Sequence, residues 1–171
     1  MKTASFVLFF ASVLSAQSVQ NPLVATSQAV FAIAKDDVMK SVDKIPDNLW
    51  SFRPTPDVRS VGELFAHIAD GQYEFCTPVA GGKAPASIEK NAKTKAEIVA
   101  GLKSAFAYCD SAYSKLNDTT AAQMTDFFNR KMTKLGLLDF NTAHTMEHYG
   151  NLVTYMRLKG IVPPSSTPAQ K

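Results

Sequence analysis

The chain has 171 residues, a length that suits a single domain. Hydrophobic residues make up 46% of it and charged residues 19%, which is the composition of a globular protein and excludes an intrinsically disordered chain. The formal net charge is only +3, and no basic run of the kind that follows phosphates is present, so we expect no nucleic-acid partner.

Residues 1–18 are expected to be a secretory signal peptide. Lys2 provides a short positive region, an apolar run follows, and small and polar residues come after it. Cleavage is expected after Ser15, Ala16 or Ser18, and the mature protein is expected to be periplasmic or secreted. The apolar run is shorter than the roughly 20 residues of a spanning helix, so we expect no membrane attachment after cleavage. The alternative is an N-terminal anchor that is not cleaved.

A first helix is predicted over residues 22–44, because its apolar residues recur at helical spacing. Four apolar residues repeat every seven positions: Val24, Phe31, Val38 and Ile45. Pro22 suits a first helical turn, and Pro46 is expected to end the helix. The connection 45–59 follows, and its Trp50 is expected to pack against the end of the helices.

A second helix is predicted over residues 60–77. It opens on a capping box, in which the Ser60 hydroxyl accepts from an amide of the first turn and the Glu63 carboxylate accepts from the amide of Ser60. One face carries the stripe Leu64, Ile68, Gly71 and Phe75. Pro78 is expected to end this helix.

A Gly-, Ala- and Lys-rich crossover, residues 79–93, leads to a second capping box of Thr94 and Glu97. The box predicts a third helix over residues 95–116. Its stripe is Ile98, Leu102, Ala105, Phe106, Cys109, Tyr113 and Leu116. Residues 117–135 are interpreted either as a short hairpin or as an irregular loop.

A fourth helix is predicted over residues 136–159. Six residues are expected to share one buried face: Leu137, Phe140, His144, His148, Leu152 and Tyr155. Gly160 suits the position just after the helix, and the two prolines that follow prevent continuation. Residues 161–171 look like a tail.

These four amphipathic helices predict an all-α four-helix bundle over residues 22–166, with 167–171 as a C-terminal tail. The crossover between the second and third helices has about 16 residues, which is long for a bundle connection. At ~3.3 Å per residue it could return along a ~30 Å helix, so these two helices are expected to be parallel.

Parallel second and third helices would bring Cys76 and Cys109 to a similar height in the bundle. An even cysteine count in an exported protein favours a disulfide bond between them. The alternative is two separate buried thiols, since free cysteine is often a core residue.

The chain contains three histidines, and two of them, His144 and His148, lie one helical turn apart. Residues at i and i+4 point the same way, with Cβ atoms about 6 Å apart, and their nitrogens could meet one metal ion at about 2.0–2.1 Å. His67 lies next to the apolar stripe of the second helix and is the candidate third ligand. Three such ligands would leave the fourth corner of a tetrahedron open.

Other interpretations of these residues remain. The His144 and His148 pair could be exposed by chance, or each ring could be an ordinary core group. Glu63 could support His67 from behind, although the cap is the favoured role, and Glu147 is interpreted as exposed or as an outer neighbour of the site. Three imidazoles suit zinc, nickel, copper and iron, so the spacing does not select a metal.

Three stretches together resemble the DinB/YfiT-like superfamily. They are Ser-Val-Gly-Glu-Leu-Phe-Ala-His at 60–67, the pair His144-x-x-x-His148, and Tyr-Met-Arg-Leu-Lys-Gly-Ile-Val-Pro-Pro-Ser-Ser at 155–166. The resemblance implies an up-down-down-up bundle and a divalent metal, typically zinc or nickel, held by His67, His144 and His148. It also implies frequent homodimers.

The resemblance does not imply one reaction. Some members of the superfamily are transferases or isomerases that use low-molecular-weight thiols, and a thiol of the cytosol would be scarce outside the cell. We therefore expect an exported metalloprotein with an open three-histidine site, acting as a metal-dependent transferase or hydrolase on an unidentified small molecule. The alternatives are a stress-related bundle with a structural metal, or a metal-free helical partner protein.

Overall fold

Helices dominate the computed structural model of this chain, which describes residues 20–167. The four long helices of this part of the chain are α1 (Pro22–Lys44), α2 (Val61–Ala80), α4 (Lys95–Ser114) and α6 (Lys134–Leu158). Shorter elements connect them: a 3-10 turn (Asp47–Leu49), α3 (Ile88–Asn91), α5 (Asp118–Ala121), β1 (Met124–Phe127), β2 (Arg130–Thr133) and a 3-10 turn (Pro164–Ser166). The predicted signal peptide, residues 1–18, lies outside the described residues.

The predicted all-α four-helix bundle with up-down-down-up topology is confirmed. Its second and third long helices, α2 and α4, are the parallel pair joined by the long crossover. Residues 117–135, for which two interpretations stood open, contain an antiparallel hairpin in which Met124 pairs with Thr133 and Phe127 pairs with Arg130. Within residues 20–167, no helix has both the length and the apolar composition needed to cross a membrane.

The ends of the long helices follow local sequence signals. Both predicted capping boxes form, one with Ser60 and Glu63 at α2 and one with Thr94 and Glu97 at α4. Gly160 has φ +71° after α6, a conformation that glycine adopts without strain. The amides of residues 160 and 161 donate to the carbonyls of residues 157 and 156, a Schellman motif.

The prediction that Pro78 ends the second helix is wrong. The helix α2 continues through Pro78 to Ala80 and ends at Gly81, whose φ is +79°. Proline removes one amide donor and crowds the carbonyl four residues before it. In the last turn this disrupts a single hydrogen bond, so the helix continues for two more residues.

The core lies between the four long helices, where α2 packs against α4 and α6 and α1 packs against α6 and α4. Its largest fully buried side chains include Phe31, Phe65, Ile68, Leu102, Phe106, Tyr113, Leu137 and Leu152. Trp50 packs against this core, with its ring stacked on Phe65 at 5.1 Å between centroids. The bundle therefore has an apolar interior of its own.

Phe140 was predicted on the buried face of the last helix, and that prediction is wrong. Its side chain is 49% exposed and touches Phe75 at the edge of the bundle. The buried face of α6 instead passes through two polar residues, Asn141 and Thr145. A pattern of apolar residues cannot detect a buried face that is centred on polar side chains.

A disulfide bond and a polar network cross the middle of the bundle. Cys76 of α2 and Cys109 of α4 form a disulfide with Cα atoms 5.4 Å apart. Beside it, the Asn141 amide donates to Gln72 Oε1 at 2.8 Å, and the Gln72 amide donates to the Thr145 hydroxyl at 2.8 Å. The disulfide therefore ties α2 to α4, and the network ties α2 to α6.

The crossover between α2 and α4 folds against both helices. The Asp70 carboxylate accepts hydrogen bonds from the Ser87 hydroxyl and from the amides of Ile88 and Glu89. On the other side, Ile88 packs so closely on Gly101 that a Cβ atom there would lie 2.6 Å from the isoleucine Cδ1. The short helix α3 is thereby fixed, and Glu89 with it.

The residues after Gly160 were expected to form a tail, but residues 161–167 pack against the bundle. The Tyr149 hydroxyl donates to the Ser165 hydroxyl at 2.8 Å and accepts from the Ser165 amide at 3.0 Å. Pro164 is buried. Residues 161–167 are thus held on the bundle surface by Tyr149 and by the burial of Pro164.

Candidate metal centre

Three imidazole rings meet between α2 and α6. His144 Nε2 lies 3.3 Å from His67 Nε2 and 3.1 Å from His148 Nε2. The three candidate ligand nitrogens all lie within 4.8 Å of one another. The two segments that the sequence separates by more than seventy residues are therefore brought to a common point.

The spacing of these nitrogens fits a metal ion. Two nitrogens bound at 2.0–2.1 Å to a tetrahedral ion lie about 3.3–3.4 Å apart. The separations at His144 are close to this value, and the same ring nitrogen, Nε2, forms both of its short contacts. Three imidazole nitrogens at such spacing suit a divalent ion, and within residues 20–167 no carboxylate or thiol joins the group.

The ring of His144 lies directly over the α2 backbone. A Cβ atom at Gly71 would lie 2.7 Å from His144 Cε1, so the ring occupies space that only glycine leaves free. Phe75 covers the ring at 5.1 Å between centroids, and Nδ1 is buried with no hydrogen-bond partner among the described residues. Burial, with His148, His67 and the Arg59 guanidinium, lowers the pKa of His144 from its ordinary 6.5 to about 4.

His148 is buried and lies one turn after His144 on the same face of α6. Burial, followed by the neighbouring His67, lowers the pKa of the His148 imidazole. Its Nδ1 lies 3.5 Å from the side-chain amide of Asn151. At neutral pH this ring, like His144, is therefore uncharged and offers a lone pair.

The Glu89 carboxylate lies beside the Nδ1 atom of the His67 ring. His67 Nδ1 lies 3.3 Å from Glu89 Oε2, while Glu89 Oε1 accepts from Arg59 Nε at 3.0 Å. Burial raises the pKa of the Glu89 carboxyl, but the hydrogen bonds from Arg59 and His67 outweigh it and lower the pKa overall. A proton held on Nδ1 by Glu89 leaves Nε2 free to bind a metal.

Sequence reasoning did not find Glu89. It lies 22 residues from His67 in a stretch without periodicity, and only the docking of α3 on Asp70 brings it to the ring. Of the two carboxylates that were considered, Glu63 forms the predicted cap and pairs with Arg53, and Glu147 is exposed.

A polar cavity of about 590 Å³ opens beside His148. Its wall contains two arginines, three carboxylates, an amide and a phenol. The lining residues that carry these groups are Arg53, Arg59, Asp57, Glu63, Glu89, Asn151 and Tyr155. A small molecule in this cavity would lie next to the three-histidine cluster.

A second, apolar concavity lies on the other side of the cluster. Its volume is about 500 Å³, and aromatic rings of α2, α6 and the hairpin form most of its wall: Phe75, Phe127, Phe128 and Phe140, with Met132 and Arg130. The ring of Phe75 separates it from His144. The histidine cluster is thus closed on this side by an aromatic layer.

Sequence comparison places this chain among known proteins. The family model of the DinB superfamily matches residues 31–152. An uncharacterized protein of Bacillus subtilis, YjoA, is 27% identical over 124 residues, which are 69% of this chain and 79% of that protein. The matched region contains all three histidines.

Solved structures share the fold. A DinB-like protein from Bacillus cereus superposes with a TM-score of 0.68 at 20% identity, covering 82% of this chain and 95% of its own. YjoA from Bacillus subtilis gives 0.67 at 24% identity, with 86% and 99% covered. A putative DinB family member from Exiguobacterium sibiricum gives 0.64 at 18% identity, with 83% and 95% covered. By its sequence and its fold, the chain belongs to the DinB superfamily.

Proposed function

We propose that this protein is an exported, metal-dependent enzyme of the DinB superfamily, a transferase or hydrolase acting on a small molecule. His67, His144 and His148 would hold one divalent ion, with zinc and nickel as the leading choices. The observation that carries this proposal is the convergence of three Nε2 atoms beside a polar cavity.

The ion, when bound, would supply a Lewis acid that polarises an oxygen or sulfur atom of the substrate. The residues of the chain contribute binding and orientation. The two rings of α6 share one face, Gly71 admits His144, and Glu89 holds the proton of His67 on Nδ1. The cavity beside His148 would give a substrate access to an ion held by the three rings.

Export is supported by two features of the chain. Residues 1–18 have the composition of a signal peptide, and the disulfide between Cys76 and Cys109 is of the kind that persists in oxidising compartments. A thiol cofactor of the cytosol would be scarce there. We therefore favour a reaction that needs no such thiol.

Metal analysis of the purified protein tests the site directly. We expect about one divalent ion per chain, and we expect His148→Ala to lower the metal content to near zero, because two remaining imidazoles are a poor site. Glu147→Ala is the matched control, since this exposed neighbour on α6 is not a ligand. Full occupancy in the His148→Ala protein would contradict the assignment.

A further inference from the structure

We propose that Arg59 binds an oxyanion group, a carboxylate or a phosphate, of the molecule that reaches the three-histidine site. The substrate class is then a small organic anion. This inference rests on the function proposed above and adds to it the charge of the substrate and the residue that recognises it.

The backbone at Arg59 is fixed beside the site. The Tyr155 hydroxyl of α6 donates to the carbonyl of Arg59 at 3.0 Å. Just after it, the amides of Val61 and Gly62 donate to carbonyls in residues 50–52 at 3.0 and 2.9 Å. The segment that carries Arg59 is therefore tied to α6 and to its own preceding turn, so its position relative to the histidines is set before any ligand binds.

The guanidinium is oriented by the same carboxylate that supports His67. Arg59 Nε donates to Glu89 Oε1 at 3.0 Å, and Glu89 Oε2 faces His67 Nδ1 at 3.3 Å. Arg59 is therefore linked to a ring of the cluster through one carboxylate. Its side chain is 42% exposed and lines the cavity that His148 also lines.

Arg59 retains its two terminal nitrogens for a ligand. Within residues 20–167, no group accepts a hydrogen bond from them, and the one bond of the guanidinium is through Nε. The terminal N–H groups form the fork that fits a carboxylate or phosphate with two parallel hydrogen bonds. A ligand with such a group would have its remaining atoms in the cavity beside the histidines.

The other arginine of the cavity is already engaged. Arg53 Nη2 donates to both oxygens of Glu63 at 2.9 Å, and Glu63 in turn caps α2. With a divalent ion bound, the positive charge of the ion and the two arginines would be larger than the negative charge of the three carboxylates in the wall. The cavity would then attract anions, and Arg59 is the arginine free to fix one.

The Co²⁺-loaded mature protein provides the test, because the visible absorption of Co²⁺ reports both metal binding and changes near the metal. We would titrate it with acetate and, separately, with inorganic phosphate, and measure the apparent Kd from absorption and from calorimetry. We expect saturable binding of at least one anion, and the two arms show whether the carboxylate or the phosphate is preferred.

We expect Arg59→Gln to weaken anion binding at least about tenfold, and Arg59→Lys to weaken it less, because lysine keeps the charge but loses the fork. Arg53→Gln is the matched control for the loss of one positive charge from the cavity and should weaken binding less than about threefold, because its guanidinium faces Glu63 and not the ligand. Co²⁺ stoichiometry is measured in every variant. If Arg59→Gln loses the metal, the anion affinities of Arg59→Lys and Arg53→Lys are compared instead. A larger loss of affinity in Arg59→Lys supports the inference, and equal losses contradict it.

Two outcomes overturn the inference on its own: a protein that holds one Co²⁺ but responds to neither anion, or equal affinities in the Arg59 variants and the unaltered protein. A protein that binds no Co²⁺ contradicts the proposed function and this inference together. The metal measurement therefore separates the two failures.

Discussion

At the scale of single residues, the site depends on the absence of a side chain at Gly71. Gly71 lies within the helix α2, where alanine would ordinarily be favoured by up to about 1 kcal/mol. The His144 ring fills the space that a Cβ atom would take, at 2.7 and 2.9 Å from its Cε1 and Nδ1. Alanine at position 71 would therefore favour the helix but displace a metal-binding ring.

We expect Gly71→Ala to lower metal affinity at least about tenfold by displacing His144, while the melting temperature of the metal-free protein changes little. Gly150→Ala is the matched control, because nothing lies within 4 Å of a Cβ atom there, on the same helix as two of the ligands. Affinity is measured by competition with a chelator. Unchanged affinity in Gly71→Ala would show that the ring has room to move.

At the scale of elements, the crossover is part of the site. The carboxylate of Asp70 binds the start of α3, and α3 presents Glu89 to His67. Carboxylates that hold the second nitrogen of a metal-binding histidine commonly contribute 10–100-fold to metal affinity. A loop that is long for a bundle connection thus has a role beyond returning the chain to the start of α4.

We expect Glu89→Gln to lower metal affinity about tenfold or more, and Asp70→Asn to reproduce part of this loss by loosening α3. Both carboxylates lie away from the metal-binding nitrogens, so about one ion per chain should still bind at saturation. Glu147→Gln controls for the loss of a negative charge near the site. An Asp70→Asn protein with full affinity would argue that α3 stays docked without that contact.

At the scale of the whole molecule, the bundle has its own core, so its fold should not depend on the metal. Metal-free protein prepared by chelation is expected to keep its helices at pH 7 by circular dichroism. Loss of the helical signal on chelation would instead favour a structural metal, since the free energy of metal binding would then be needed to fold the protein.

The same metal-free protein is expected to lose stability as the pH falls. The pKa of His144 is lowered to about 4 in the folded state, so below 6.5 the unfolded chain takes up a proton that the folded chain does not. The stabilisation is complete above pH 6.5 and is lost as the pH falls towards 4. Between pH 7 and 5 we expect a loss of about 2 kcal/mol in urea unfolding, and a shallower slope in His144→Gln.

Much of this molecule could be predicted from its sequence, because the relevant signals are local. The capping boxes at Ser60 and Thr94 and the glycine after α6 fixed helix ends through contacts within a few residues. The helical spacing of His144 and His148 likewise put two rings on one face before any tertiary structure was considered.

The remaining features depend on contacts between distant segments. Glu89 reaches His67 only because Asp70 captures the crossover, and Gly71 matters only because a ring from α6 lies on it. Phe140 was misplaced because Asn141, buried beside the disulfide, takes the centre of the α6 face. No periodicity in the sequence distinguishes such a buried amide from an exposed one.

The bridge joins Cys76 and Cys109, which are 33 positions apart in the sequence, and the loop that it closes contains the entire crossover, including Glu89. When α6 detaches in a local opening, α2, α4 and this loop would remain together as one covalently closed unit. His67 and Glu89 would then stay paired while α6 is detached. From that state, assembly of the three-histidine centre would require only that α6 dock again.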